Sequence, residues 1–389
     1  MELIYITEGR FIKDKTGKVF TADGAHSYKY FQRYLGTFRK VYVVGRVSSD
    51  RSYSGINEEL VEGNNIQVLP LTGYLGVGGF LKNYYSIKHK LESYITPGKI
   101  CILKVPGILG KLAATICRKR NVKYGVEVVG DPYDVFAPGA VNHPLRPFLR
   151  QYFTHQLKSI VKNAHSALFV TKEQLQRRYP CATSAFNTNA SNVILNSSAF
   201  ASSPKVISER KTFEIISVGS LEQMYKAPDI VLEAIKMLLD NGITCRLTWL
   251  GDGKYKREVE QLAEGLGISA YVRFPGKVLS GDGVLKYLDE SDIFILASRT
   301  EGLPRALVEA MARGLPCIGT NVGGIPELLD EEMIVPKDNA EDLYKKVMYL
   351  IEQPEVMRSQ AARNLEEAKL YSTEILTQRR LSFYQSLLN

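Results

Sequence analysis

Short apolar runs alternate with longer amphipathic stretches along the whole chain. In the first half, Leu3 to Thr7, Val41 to Val44, Ile66 to Pro70, Ile100 to Val105, Tyr124 to Val129 and Ala167 to Thr171 each read as a short buried strand. Between them, Ala25 to Leu35, Phe80 to Tyr94, Gly110 to Arg120, a stretch from about Leu145 to Ala164, and Lys172 to Tyr179 carry helical spacing. Glu8 to Gly24 reads as a loop, and Val193 to Leu195 as the last strand of this half. The pattern restarts at Phe213 to Val218 and runs through Arg246 to Leu250, Tyr271 to Phe274, Ile293 to Ala297 and Leu315 to Gly319. Helices are predicted at Leu285 to Ser291, Ala340 to Ile351, Val356 to Leu370 and Tyr371 to Leu388. Strands alternating with helices predict an α/β protein with doubly wound parallel sheets. A length of 389 residues suggests two such Rossmann-like domains, over 1–197 and 205–370, joined by the polar stretch Ser197 to Arg210 with its Pro204.

The most informative stretch is Ile293 to Leu329. A buried strand is followed by the turn Ser298 to Gly302, and Pro304 falls where a first helical residue is expected. Leu307, Val308, Met311 and Ala312 form the helix's apolar stripe, and Gly314 supplies its stop. Val322-Gly323-Gly324 is a second tight turn, and Ile325 to Leu329 begins a further helix. In an open α/β sheet the carboxyl end of a strand faces ligand, and the helix N-terminus beside it favours phosphate. Glu301 lies in the turn and Glu309 further along the helix, where both reach the same crevice. Two carboxylates beside a phosphate site suit the hydroxyls of a sugar and a ribose, because a carboxylate only accepts hydrogen bonds. Taken without its frame, a Glu pair eight residues apart reads more simply as surface helix residues.

The frame is E-G-L-P-R-A-L-V-E-A-M-A-R-G-L-P, from Glu301 to Pro316. It resembles the donor-binding signature of family 4 glycosyltransferases, which have the GT-B fold of two Rossmann-like domains facing across a cleft. The resemblance implies that Glu301, Gly302 and Leu303 contact the transferred sugar and that Glu309 holds the ribose. Many relatives carry Gly where this chain has Pro304, which cannot donate an N–H. It also implies that Gly219-Ser220-Leu221 and Lys226 grip the donor diphosphate. Here Ser220 stands in place of the family's Arg and Ala227 in place of the Gly after the Lys. Serine bonds a phosphate without neutralising it, so Arg299 or Arg305 is the candidate substitute. Gly251, in Gly251-Asp252-Gly253, matches a turn at the cleft, and Lys277 and Val278 match a loop that holds the nucleobase. In the first domain, Asp23 and Gly24 match the first loop, and Gly130-Asp131 replaces the family's His-Asp. Asp131 is the N-domain active-site candidate and Asp134 the runner-up; from its residues alone, Asp131 also reads as a cap before Pro132. The final helix, about 371–389, is expected to cross back to the first domain.

Composition sharpens the partners. Residues 1–200 hold 27 Lys/Arg against 13 Asp/Glu, a net of +14, and residues 201–389 hold 23 against 28, a net of −5, which together give the chain's +9. Such asymmetry suggests that the first half meets something anionic. Phe80 to Tyr94 is basic and aromatic, as helices at membrane surfaces are, although a helix packed on the sheet with its charges in water is the plainer reading; Val141 to Ala164 is also basic and aromatic. No apolar run is long enough to span a bilayer, and the N-terminus does not read as a signal peptide. The five scattered cysteines lack metal or disulfide spacing. No Asp-x-Asp occurs, so no metal-held diphosphate is expected.

The family resemblance thus implies a retaining hexosyltransferase with Asp131, Glu301 and Lys226 as its catalytic residues. It needs no cofactor or metal and uses a nucleotide-diphospho-sugar, UDP-linked rather than GDP-linked. Its acceptor is a saccharide or lipid-linked saccharide of capsule, O-antigen or exopolysaccharide synthesis. The protein is expected to be cytoplasmic or peripheral at the inner face of the plasma membrane, with its basic N-domain toward an anionic surface. A sugar-nucleotide epimerase of the same fold and a basic nucleic-acid-binding protein are the alternatives. The latter leaves Glu301, Glu309 and Lys226 unexplained, so no nucleic-acid partner is expected.

Overall fold

The computed structural model describes residues 1–22, 26–50, 52–53, 59–74, 76–137, 143–205, 212–278 and 281–389. Asp23 and Gly24 of the expected first loop lie outside the described residues.

Two parallel sheets organise the chain. The first comprises β1 (Glu2–Lys13), β2 (Val19–Thr21), β3 (Lys40–Ser49), β4 (Ile66–Leu71), β5 (Lys99–Val105), β6 (Tyr124–Val128), β7 (Ser166–Phe169) and β8 (Phe186–Asn189). Their order is β4-β3-β1-β5-β6-β7-β8, with β2 antiparallel to β1. The second comprises β9 (Phe213–Val218), β10 (Cys245–Leu250), β11 (Val272–Gly276), β12 (Ile293–Leu296), β13 (Cys317–Thr320) and β14 (Ile334–Val335), ordered β11-β10-β9-β12-β13-β14. β1 and β12 lie near the middle of their sheets, and their apolar runs Leu3 to Ile6 and Ile293 to Leu296 are fully buried. Strands covered on both faces need such unbroken apolar runs rather than alternation.

Several sequence expectations are corrected. Glu8 to Lys13, expected in a loop, extends β1 and pairs with β3 and β2. The last strand of the first sheet is Phe186–Asn189, not Val193 to Leu195. Val193 and Leu195 are buried, so their apolarity serves the core without strand pairing. The helix expected from Phe80 to Tyr94 is two helices, Gly76–Lys82 and Tyr84–Tyr94, which part at Asn83. Asn83 turns its amide onto the carbonyls of Gly73 and Gly79, a local competition that ends helices. Ile325 onward makes only a 3₁₀ turn, Ile325–Glu327.

The final helix, Thr373–Leu388, packs on β7 and β8 of the first sheet. Ser166 and Ser386 hydroxyls meet at 2.6 Å, and the Tyr384 ring lies 5.0 Å from that of Tyr34. Gly125 makes room for it, since a Cβ there would lie 2.9 Å from the Phe383 and Leu387 side chains. The preceding helix, Pro354–Lys369, packs on Arg305–Ala312 of the second domain, so the chain's end spans both domains.

Candidate active site

The loops after β9, β10, β11 and β12 meet at the carboxyl ends of the second sheet. Gly219 donates its N–H to Leu250 at 2.9 Å, and its carbonyl accepts from Trp249 Nε1 at 3.0 Å. Gly251 has φ +156°, and a Cβ there would lie 1.9 Å from the Gly219 oxygen. Only glycine allows that approach. Gly251 N–H in turn donates to Gly276 at 3.0 Å, which brings the loop of Lys277 and Val278 alongside. Ser220 is exposed and acts within this turn: its Oγ reaches the Asp252 carbonyl at 3.4 Å and accepts the Glu222 N–H at 3.2 Å.

A Cβ on Gly219 would also meet Lys226 Cγ at 2.8 Å, so the glycine lets the lysine stem cross the loop. Lys226 Nζ ends in an ion pair with Glu301 Oε1, and both side chains are largely buried. The same Oε1 accepts from Ser298 Oγ at 2.6 Å, which leaves Oε2 without a partner among the described residues. Ser298 is held in turn by Thr320, whose hydroxyl donates to its carbonyl at 2.6 Å. Gly323, at φ +51°, and Gly324 pack under Glu301 and Gly302, and Gly324 N–H donates to the Gly302 carbonyl at 2.7 Å.

The helix Arg305–Ala312 opens one residue later than expected, with Pro304 as its cap residue at φ −74°, ψ 113°. Leu303 is buried just before it. Glu309 sits on this helix without a side-chain hydrogen bond among the described residues. Burial raises its pKa, against the opposing charge of Arg305. Arg305 is exposed and makes no ion pair among the described residues.

Arg299 is not a free phosphate ligand. Its guanidinium meets Asp229 at 2.6 Å, Asp338 at 2.5 Å and the Met224 carbonyl at 2.7 Å. Burial opposes its charge, but the two carboxylates outweigh burial and push its pKa up. Arg299 instead ties the turn Met224–Lys226, which carries the lysine, to the loop of Glu301.

Across the cleft, Asp131 caps the short helix Pro132–Val135 and accepts the Tyr133 N–H at 2.8 Å. Its carboxylate also bonds the Tyr179 hydroxyl and pairs with Arg178, which reaches Asp134 at 3.1 Å. Burial and the charge of Asp131 raise the Tyr179 pKa. Burial and Asp131 also raise that of Asp134, against Arg178. Asp131 is thus committed to holding its own loop. A pocket of ≈ 300 Å³ lies between Gly130 and Asp131 on one side and Gln223, Tyr225, Thr300 and Glu301 on the other. Residue reading missed Ser298, Tyr225, Arg178 and Tyr179; only the position of Ser298, a small polar residue directly past a buried strand, signals its role.

Two Rossmann-like sheets face each other across this cleft, with a Lys–Glu pair at the strand ends of the second, a two-domain α/β plan whose crevice is where ligands of such sheets bind. The family profile "Glycosyl transferases group 1" matches residues 212–353. An uncharacterized glycosyltransferase of Haemophilus influenzae is 30% identical over 281 residues, 71% of this chain and 73% of that protein. Protein CapJ of Staphylococcus aureus is 29% identical over 314 residues, 80% of this chain and 78% of that protein. The putative colanic acid biosynthesis glycosyltransferase WcaL of Escherichia coli is 35% identical over 155 residues, 37% of this chain and 38% of that protein. Among solved structures, Anabaena Alr3699/HepE in complex with UDP superposes with a TM-score of 0.68 at 14% identity, covering 99% of this chain and 100% of that one. The chain belongs to the group 1 glycosyltransferases of GT-B fold.

Proposed function

We propose that this glycosyltransferase moves a hexosyl unit from a UDP-sugar to a saccharide acceptor carried on a lipid, with retention of anomeric configuration, in the synthesis of a surface polysaccharide. The observation that carries the reading is the Lys226–Glu301 pair, with one glutamate oxygen left open, on the wall of the inter-domain pocket. The open Oε2 accepts from a hydroxyl of the donor sugar. Lys226, with three N–H donors, turns one toward the diphosphate. Arg305 and the uncapped start of Arg305–Ala312 complete the electropositive rim, without a metal ion. Glu309 accepts from the ribose. The loops bearing Gly219, Gly251, Lys277 and Val278 seat the nucleotide. The UDP bound in the structural neighbour and the colanic acid biosynthesis named for WcaL support the donor and pathway class.

In the transfer step the acceptor hydroxyl oxygen bonds the anomeric carbon as the bond from that carbon to the diphosphate oxygen breaks. Retention places attack on the face the diphosphate leaves, so the departing phosphate oxygen takes the acceptor proton. Lys226 and the helix N-terminus hold the charge that accumulates there. Asp131 acts as a positioning residue that fixes the Gly130–Pro132 wall of the cleft. The test is incubation with UDP-sugars and a membrane-extracted acceptor fraction, with the product anomer read by NMR. An α-linked product from an α-linked donor supports the reading. An inverted product, or free sugar epimers without transfer, overturns it.

A further inference from the structure

The two walls of the inter-domain pocket offer different chemistry. On the second domain's side stand the open Oε2 of Glu301, the exposed amide of Gln223 and the hydroxyl of Thr300. The side chains of Gln223 and Thr300 make no hydrogen bond among the described residues. On the first domain's side, the Asp131 carboxylate is engaged at both oxygens, by Tyr133, Tyr179 and Arg178. What that wall presents to a ligand is Gly130 and the apolar side chain of Val135, which is 38% exposed.

Two glycines line the pocket, for different reasons. Gly302 is required by packing, because a Cβ there would lie 2.8 Å from the Val129 oxygen. Gly130 is under no such constraint. Its φ lies outside the left-handed region that favours glycine. A Cβ there would have only Pro106 Cδ within 4 Å among the described residues, at 3.8 Å, an ordinary contact. Backbone and packing would both accept a side chain at this position. Its absence recesses the wall that faces Glu301.

The chemistry around the recess selects what fills it. The two charged residues that line the pocket, Asp131 and Glu301, are both acids, so a carboxylate on the sugar is repelled. A bare hydroxyl brings nothing to the apolar Val135. An acetamido group carries a methyl for Val135, and an N–H and a carbonyl for Gln223 and Thr300, so each part meets a matching partner.

We propose that the transferred hexosyl unit carries an acetamido group, seated in the recess between Gly130, Val135 and Gln223. The proposal rests on the UDP-sugar reading above and adds the class of sugar. Glu301 then holds a ring hydroxyl, which every hexosyl donor offers, and the recess sorts one donor from another. Gly130 and Gln223 are its specificity-determining residues.

The test is calorimetric titration of the full chain with UDP and with two pairs of donors. The pairs are UDP-N-acetylglucosamine against UDP-glucose, and UDP-N-acetylgalactosamine against UDP-galactose. One acetamido donor is expected to bind at least about tenfold more tightly than its hydroxyl counterpart, the step that an added methyl and a hydrogen bond give in a fitted pocket. Gly130→Val fills the recess and should abolish that preference. Gln223→Ala, at an exposed position, should reduce it, and serves should the first variant not fold. If UDP binds but both hydroxyl donors bind as tightly as their acetamido counterparts, the sugar assignment falls. A preference that survives both variants places the acetamido group elsewhere and also overturns it. A chain that binds no UDP defeats the donor reading itself, and the sugar assignment with it.

Discussion

Glu301 presents one occupied and one open oxygen, and this division is set by Lys226 and Ser298. Lys226→Ala removes the partner of Glu301 and, with it, the cation proposed for the leaving diphosphate. Turnover should fall on the order of 10²-fold, as loss of one preorganised charge-stabilising group does, and donor affinity should weaken. An unchanged rate and affinity in steady-state kinetics would contradict the assignment. Glu309 predicts a pH dependence. Its pKa lies above the ordinary 4.5 because burial disfavours its charge, with Arg305 opposing. Burial thus favours its protonated form more in the fold than in the unfolded chain. The stability this gives is present at low pH and is lost as pH rises through the raised value. If Glu309 holds the ribose as proposed, it does so as the carboxylate, so UDP affinity should rise with pH over that window, and Glu309→Gln should flatten the profile. A wild-type profile already flat from pH 4 to 7 counts against the role. Glu301 and Lys226 were legible as neighbours because each follows the carboxyl end of a buried strand, β12 and β9, within a short motif. Arg299 was not: its partners Asp229 and Asp338 lie 70 and 39 positions away, and nothing local tells a phosphate ligand from an ion-paired strut. Asp131 was found as a residue, but its partners Arg178 and Tyr179 come from another helix end.

Among elements, the junction between the Met224–Lys226 turn and the helix Pro228–Asp240 stores a correctable strain. Ala227 sits at φ 51°, ψ 53°, a left-handed conformation that costs a non-glycine residue about 1 kcal/mol. Ala227→Gly should raise stability by roughly 0.5–1 kcal/mol, read as a higher urea midpoint with an unchanged slope. A lower midpoint would show that the buried methyl outweighs the strain. Element prediction succeeded where strands are apolar throughout and failed at the sheet's margin. Phe186–Asn189 is half polar and partly exposed, so β8 carries no hydrophobic signal, while the apolar Val193 and Leu195 nearby attract the assignment. The Tyr84–Tyr94 helix was legible, but its break at Asn83 depended on side-chain bonds to Gly73 and Gly79.

Over the whole molecule, the two domains touch through backbone as well as side chains. Gly302 packs so close to β6's end that a Cβ would lie 2.8 Å from the Val129 oxygen. Glu327 of the second domain accepts the N–H groups of Lys172, Glu173 and Gln174 in the first, with the first two at 2.6 and 3.0 Å. A carboxylate satisfying the free N–H groups of a helix start is a strong, charge-assisted contact. Glu327→Ala should therefore open the cleft, seen as a larger radius of gyration in solution scattering without donor, while the fold of each domain persists. An unchanged radius would show that the clasp is not needed. The two-domain plan was legible from the strand–helix alternation, and the crossing of the last helix from the family resemblance. The Glu327 clasp was not, since a glutamate after Ile-Pro carries no mark of what it will cap.

On the proposed function, the Lys226–Glu301–Glu309 cleft binds a uridine diphosphate sugar without a metal ion. A thermal-shift comparison of UDP, GDP, ADP and their common sugar conjugates, with and without magnesium, tests it most directly. A ligand at a hundred times its Kd adds about 2.7 kcal/mol to apparent stability. A clear upward shift is expected with UDP and a UDP-sugar, equal in the presence and absence of magnesium, and lost in Lys226→Ala. No shift with any nucleotide, or one that appears only with magnesium, would contradict it.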